Sequence, residues 1–124
     1  MPSVVVVGAS SDRSKFGNKA VRAFREKGYD VYPVHPKEAE IEGIKAYKSI
    51  LDVPAPHINM VTVYLNPAVG LRVIEEIAKK KCDEVWLNPG AESDELMEKG
   101  EALGLTMIAA CSIVGIGASP SKFS

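Results

Sequence analysis

The sequence VVVVGASSDRSKFGN, at residues 4–18, decides the fold of this chain. Four successive valines that end at Gly8 are typical of a strand buried on both faces of a parallel sheet. The polar residues after Gly8 lead into a helix, because Ala20, Val21 and Phe24 form an apolar stripe at helical spacing. A strand, a loop of small polar residues and a helix in this order begin a βαβ unit.

The rest of the chain continues this alternation of strands and helices. Apolar, extended segments predict strands at residues 29–34, 58–65, 84–87 and 106–110, and only a short edge strand within residues 41–47. Helices are predicted after the favoured N-cap pair Asn66-Pro67 and around the apolar stripe of residues 96–103.

We therefore predict a Rossmann-like α/β fold, a doubly wound parallel sheet in the strand order 3-2-1-4-5-6 with helices on both faces. Residues 1–124 are expected to form one three-layer domain. Its tail, residues 115–124, is rich in Gly and Ser and is expected to be loosely ordered.

Composition and charge narrow the classes of function. The 124 residues are 46% hydrophobic and 25% charged, which suits one globular domain. A net charge of −1 argues against a nucleic-acid or membrane surface, which needs a wide positive field. Cys82 and Cys111 lack CxxC spacing and a neighbouring histidine pair, so we expect reduced thiols and no metal site. The apolar run at the start is too short for a signal peptide, and the expected location is cytoplasmic.

A ligand site is expected beyond the carboxyl ends of the first strand and of the strand at residues 58–65, where the predicted strand order reverses. Loops at residues 8–18, 35–37 and 66–67 converge there. The first loop precedes a helix N-terminus, whose free N–H groups and dipole favour a phosphate. Ser10 replaces the second glycine of the GxGxxG fingerprint, so plain NAD is disfavoured. The alternative for this loop is a tight turn that merely needs small residues.

The second predicted strand ends in His35-Pro36-Lys37. NAD-binding folds place an acidic residue at this point to bond the ribose hydroxyls. A lysine would instead attract a phosphate on that ribose, and both NADP and coenzyme A carry one. The alternative is that Lys37 is an ordinary solvated lysine.

Five stretches of the sequence carry a resemblance to a known family. They are residues 6–10 (VVGAS), 15–18 (KFGN), 31–37 (VYPVHPK), 40–43 (EIEG) and 47–54 (YKSILDVP). Together they resemble the CoA-binding domain of ADP-forming acyl-CoA synthetases and of the succinyl-CoA synthetase α subunit, a domain that also occurs alone. The resemblance implies that the ligand is coenzyme A or an acyl-CoA. Its phosphates would lie in the loop at residues 8–18, and its adenosine end would lie beside Lys37.

The loops and the resemblance together assign a set of residues to the cofactor: Gly8, Ala9, Ser10, Lys15, Phe16, Gly17, Asn18, Val34, His35, Pro36, Lys37, Leu65, Asn66, Pro67, Asn88, Pro89 and Cys111. His35 departs from the family, which more often has asparagine there, and Ala110 stands where the synthetases have asparagine. We also predict that Cys111 lies close enough to the pantetheine thiol for a mixed disulfide. The alternative is a buried, inert thiol.

The resemblance implies a binding or regulatory module that is not an enzyme. The phosphorylated histidine of the synthetases lies in a following domain, and no pattern of catalytic residues emerges around His35 or His57. The alternatives are a fragment of an NADP-dependent oxidoreductase and a subunit that recognises a protein partner with the cofactor as a regulatory ligand. A homo-oligomer is equally compatible with the sequence.

Overall fold

A computed structural model describes residues 2–124, and its central feature is a parallel five-stranded sheet. Along the chain the strands are β1 (Ser3–Val7), β2 (Asp30–Val34), β3 (Glu40–Ile41), β4 (Ile44–Lys45), β5 (Ile58–Val63), β6 (Cys82–Leu87) and β7 (Met107–Ala109). The helices are α1 (Phe16–Glu26), α2 (Pro67–Lys79), α3 (Asp94–Ala102) and α4 (Ser112–Gly115), and single 3-10 turns lie at Ile50–Asp52 and Pro120–Phe123. None of the helices within residues 2–124 is long and apolar enough to cross a membrane.

The order of strands in the sheet is β2-β1-β5-β6-β7, and every neighbouring pair is parallel. This confirms the predicted Rossmann-like fold. Successive strands are added on one side of β1 and then, from β5 onwards, on its other side. The observed order differs from the predicted order 3-2-1-4-5-6 at one edge, where the third predicted strand, within residues 41–47, is not part of the sheet.

The predicted edge strand within residues 41–47 is instead an antiparallel hairpin of β3 and β4. The chain reverses at Glu42 and Gly43, which both have positive φ angles, of 52° and 75°. Because the chain turns back on itself, it cannot extend along β2. The chain pairs with β2 again at Tyr47, through a single parallel bridge to Val34.

Both faces of the sheet are covered, which explains the run of four valines. Val5 and Val7 pack into the core under α2 and α3, whereas Val4 and Val6 pack into the core under α1. The side chains of a strand alternate between the two faces, so a strand covered on both faces is apolar throughout. This places β1 inside the sheet, between β2 and β5, with its carboxyl end between theirs at one sheet edge.

The tail at residues 115–124, expected to be loosely ordered, contains a residue that packs on the α1 side of the sheet. Phe123 is 7% exposed and packs into the core on the α1 side. A guanidinium N–H of Arg22 donates to the carbonyl of Phe123 over 2.6 Å, and Lys122 forms an ion pair with Glu26. The tail is rich in Gly and Ser, and its one aromatic residue, Phe123, completes the packing on the α1 side.

Candidate functional site

The carboxyl edge of the sheet carries a groove made of three adjoining cavities. The outer cavity, beside Pro36 and Ser49, has a volume of about 280 Å³. The central cavity, beside Lys15, has a volume of about 260 Å³, and the Cys111 cavity has about 80 Å³. The outer and central cavities share Gly8 and Leu65. The central and Cys111 cavities share Phe16, Tyr64 and Pro89, so we treat all three as one carboxyl-edge groove.

Most of the predicted cofactor residues line this groove. They are Gly8, Lys15, Phe16, Gly17, Val34, Pro36, Leu65, Asn66, Asn88, Pro89 and Cys111. The predicted residues that do not line it are Ala9, Ser10, Asn18, His35, Lys37 and Pro67. The topology therefore brings the ends of β1, β2, β5, β6 and β7 to one site, as the strand order requires.

The centre of the groove lies against the N-terminus of α1. The N-cap residue is Lys15, whose side chain has no acceptor, so it leaves the first N–H groups of the helix uncapped. Phe16 and Gly17, the first residues of α1, both line the central cavity. Free N–H groups at the positive end of a helix favour an anion, and a phosphate is the usual one.

Two glycines allow the backbone to approach closely at this point. Gly8 has a φ of 89°, and a Cβ on it would lie 2.7 Å from the carbonyl oxygen of Tyr64. A Cβ on Gly17 would overlap the carbonyl oxygen of Gly8 and lie 3.3 Å from the Cα of Ala9. Glycine is therefore required at both positions for the loop to pack on α1 and on the end of β5.

The loop between β1 and α1 is ordered by its own side chains. Ser10 Oγ accepts from the N–H of Asp12 over 3.0 Å. Asp12 Oδ1 accepts from the hydroxyl of Ser14 over 2.6 Å and from its N–H over 3.0 Å. These bonds from Ser14 lower the pKa of Asp12 below its usual value. Hydrogen bonds within the loop therefore hold residues 10–14 together.

Asn18 lies beneath the loop, where it does not face the groove. Its side chain is fully buried, and its Nδ2 donates to the Ser10 carbonyl over 2.9 Å and to Glu42 Oε2 over 3.1 Å. Its Oδ1 accepts from Arg22 Nε over 2.8 Å. The predicted ligand contact of Asn18 is thus a positioning contact, which ties the loop to the tip of the β3–β4 hairpin. Ala9 is buried in the core beside it.

The imidazole of His35 shapes the turn that follows β2. Its Nδ1 accepts from the N–H of Lys37 over 2.9 Å and from the N–H of Glu38 over 3.0 Å. The side-chain oxygen of an asparagine offers the same kind of acceptor, which explains how histidine replaces it at this position. Pro36 lines the outer cavity, and Lys37 is exposed at the turn.

Several residues of the outer cavity escaped prediction: Lys48, Ser49, Ile50, Val69, Val73 and Glu76. Residues 48–50 reach the groove because the chain returns to β2 at Tyr47. The residues from α2 face the cavity because Asn66 starts that helix at the groove. Its Oδ1 accepts from the N–H of Val69 over 3.0 Å, as the predicted N-cap requires.

A buried polar network supports the Cys111 end of the groove. Asn88 is 1% exposed, and its Nδ2 donates to Thr62 Oγ1 over 2.7 Å and to the carbonyl of Val63 over 2.9 Å. Its Oδ1 accepts from the N–H of Ser112, the residue after Cys111, over 2.8 Å. The position of Cys111 is therefore fixed by hydrogen bonds to the ends of β5 and β6.

Tyr64 forms the wall between the central cavity and the Cys111 cavity. Its hydroxyl lies 3.2 Å from Ser112 Oγ. Burial raises the pKa of Tyr64 to about 12, so the phenol is neutral at physiological pH. The groove thus gains a hydrogen-bonded aromatic wall and no additional charge. Nothing in the sequence marks this tyrosine as a site residue, because aromatic residues at strand ends usually pack into the core.

Comparison with known proteins identifies the family. Residues 2–121 match the family described as the CoA binding domain, and the chain belongs to this family. The ADP-forming acetate–CoA ligase of Methanocaldococcus jannaschii is 37% identical over 78 residues, which are 63% of this chain and 11% of the ligase. The resemblance to the domain of ADP-forming acyl-CoA synthetases is therefore confirmed. This chain spans about a tenth of the length of that ligase, since the aligned part is 11% of it.

Solved structures agree with this assignment. A hypothetical protein from Pyrococcus horikoshii OT3 has a TM-score of 0.84 and 32% identity, covering 91% of this chain and 79% of that one. A dinucleotide-forming acetyl-coenzyme A synthetase from Ca. Korarchaeum cryptofilum, in complex with phosphate and ADP, has a TM-score of 0.74 and 26% identity. That match covers 87% of this chain and 25% of the synthetase. The fold thus occurs both in chains of similar size and in part of a much longer enzyme.

Proposed function

We propose that this chain binds coenzyme A or an acyl-CoA in the carboxyl-edge groove and acts as a binding or regulatory module without a catalytic step of its own. The observation that carries the proposal is the continuous, three-part groove in a member of the CoA-binding domain family. Coenzyme A also has three parts in line, which are the adenosine, the pyrophosphate and the pantetheine arm with its thiol. A long ligand with a charged middle suits a groove whose centre is a helix N-terminus.

The assignment of ligand parts follows from the lining of each cavity. The pyrophosphate belongs at the central cavity, where the uncapped start of α1 and Lys15 favour negative charge. The adenosine belongs in the outer cavity, between Pro36 and α2. The pantetheine arm then runs past Tyr64 towards the smaller Cys111 cavity.

Two positive side chains stand at the adenosine end. Lys48 lines the outer cavity, and Lys37 is exposed on the turn that His35 holds. The phosphate on the adenosine ribose of coenzyme A would lie at this rim. Glu38 lies beside the same turn, where its Oε1 accepts a hydrogen bond from the hydroxyl of Ser11 over 3.0 Å.

The surroundings of the two histidines support a non-catalytic role. The Nδ1 of His35 is engaged by two backbone N–H groups, so it is not available as a base. His57 precedes β5 at the opposite edge of the sheet, and its Nε2 lies 2.7 Å from Asp83 Oδ1. Neither histidine lines the carboxyl-edge groove.

Calorimetry with coenzyme A, acetyl-CoA, dephospho-CoA, NAD and NADP tests the proposal. Saturating coenzyme A should also raise the free energy of unfolding by about 2.7 kcal/mol at a hundred times its dissociation constant. A preference for NADP over coenzyme A would contradict the proposal and favour the oxidoreductase fragment. Formation of an acyl-CoA from coenzyme A, ATP and a carboxylate by the purified chain would contradict the non-catalytic part.

A further inference from the structure

The outer cavity contains one carboxylate in mainly apolar surroundings. Val7, Val34, Ile50, Leu65, Val69 and Val73 line most of it. Glu76, from α2, lies in the same lining. Its Oε1 accepts a hydrogen bond of 2.5 Å from the hydroxyl of Ser49, which also lines the cavity.

Ser49 fixes the position of this carboxylate. Its Oγ accepts from the N–H of Leu51 over 3.1 Å and so caps the 3-10 turn at Ile50–Asp52. The hydroxyl hydrogen then points to Glu76, because a hydroxyl that accepts at its lone pair donates through its single hydrogen. One carboxylate oxygen is thereby held, and Oε2 remains for another donor.

We infer that Glu76, held by Ser49, recognises the exocyclic amine of adenine in the outer cavity and thereby selects adenine over hypoxanthine and guanine. This inference rests on the proposed function. An ionised carboxylate only accepts hydrogen bonds, and the amine at position 6 of adenine is a donor. With the base in the same position, hypoxanthine and guanine would bring an oxygen to the carboxylate as a second acceptor, and their N1–H would lie one ring position away from it.

The shape and lining of the cavity favour a base over a sugar or a phosphate. A volume of about 280 Å³ accommodates a purine, and the apolar walls suit its flat faces. A carboxylate repels a phosphate, whereas Lys48 on the same lining attracts one at the rim. A carboxylate that only tethered the 3-10 turn to α2 would not distinguish one purine from another.

The test compares coenzyme A with its hypoxanthine analogue, which carries an oxygen in place of the amine at position 6 and, with it, a proton on the neighbouring N1. Calorimetry on the full chain should show the analogue binding about ten- to a hundredfold more weakly, the range for a hydrogen bond to a charged group. Glu76→Gln should bring the two ligands within a few fold of each other, because a side-chain amide can turn its N–H towards the oxygen. Glu75→Gln, at the exposed neighbouring position on the same helix, is the matched control and should keep the wild-type preference.

The outcomes separate this inference from the proposed function. If wild type binds coenzyme A and the hypoxanthine analogue equally, the inference is wrong and the proposed function stands. If wild type binds neither ligand, the proposed function itself fails. If Glu76→Gln binds coenzyme A and keeps the full preference, another group reads the base and the inference is again wrong. The comparison of two ligands on wild type remains decisive even if the variant does not fold.

Discussion

Replacing Gly17 by alanine tests whether the close approach between α1 and the loop creates the central cavity. The new Cβ would overlap the carbonyl oxygen of Gly8 and would lie 3.2 Å from the carbonyl carbon of the same residue. Ordinary contacts between carbon atoms are about 3.5–4.0 Å. Every atom in the way belongs to the backbone, so no side chain can rotate to make room.

The expected size of the effect follows from this geometry. Overpacking costs about 1–3 kcal/mol, and alanine regains at most about 1 kcal/mol of helix propensity over glycine. We therefore expect Gly17→Ala to lower the free energy of unfolding by about 1–2 kcal/mol, since the obstructing atoms are backbone. Any relaxation must move the loop away from the start of α1, so coenzyme A should bind at least about tenfold more weakly, a loss of ~1.4 kcal/mol.

Gly70→Ala is the matched control, since it is the same substitution inside another helix. A Cβ on Gly70 would lie 2.8 Å from Leu96 Cδ2, which is the far end of a flexible side chain. We expect its free energy of unfolding to stay within about 1 kcal/mol of wild type, because the leucine can change rotamer. Urea unfolding and calorimetry measure both quantities. Wild-type stability and affinity in Gly17→Ala would refute the reasoning about the central cavity.

Three further predictions concern residues around the sheet edges. Lys37→Ala should weaken coenzyme A by about tenfold and leave dephospho-CoA unchanged in calorimetry, because the exposed lysine would meet only the ribose phosphate; equal losses would contradict this. His35→Asn should keep coenzyme A affinity within a few fold. His35→Ala should lose about tenfold, because two backbone N–H groups lose their acceptor. Equal affinities of the two variants would contradict the role of His35 as the acceptor in this turn. Hydrogen bonds from His57 and Asn59 lower the pKa of Asp83, so its contribution to stability exists at neutral pH and is lost as pH falls below about 4. Asp83→Asn should therefore show a smaller fall in Tm between pH 7 and pH 3 than wild type, and an identical fall would contradict the assignment.

The sheet and the location of the groove could be predicted because they depend on which residues end each strand. The valines of β1 and the Asn66-Pro67 start of α2 identify their elements through local chemistry alone. Parallel strands place their carboxyl ends at one edge, so the convergence of the loops follows from the order of elements.

The direction of individual side chains could not be predicted in the same way. Asn18 was expected to face a phosphate because it ends the loop at residues 8–18, yet it points under the loop to Ser10 and Glu42. That direction depends on the hairpin, which is distant in sequence. Glu76 was missed for a similar reason, since its spacing on α2 is that of a solvated residue and only the return of the chain at Ser49 places a partner beside it.

The hairpin that replaces the predicted edge strand contributes directly to the site. Glu42 adopts a φ of 52°, and such a conformation costs a residue with a side chain about 1–3 kcal/mol. At this turn its carboxylate accepts from Asn18 Nδ2 and lies 3.5 Å from Arg13 Nε, within the loop that leads to α1. Its carbonyl accepts from Arg25 over 2.7 Å. A strand that continued along β2 would carry this carboxylate away from α1. The reversal at Glu42 and Gly43 is therefore what connects the outer edge of the sheet to the loop at the proposed phosphate site.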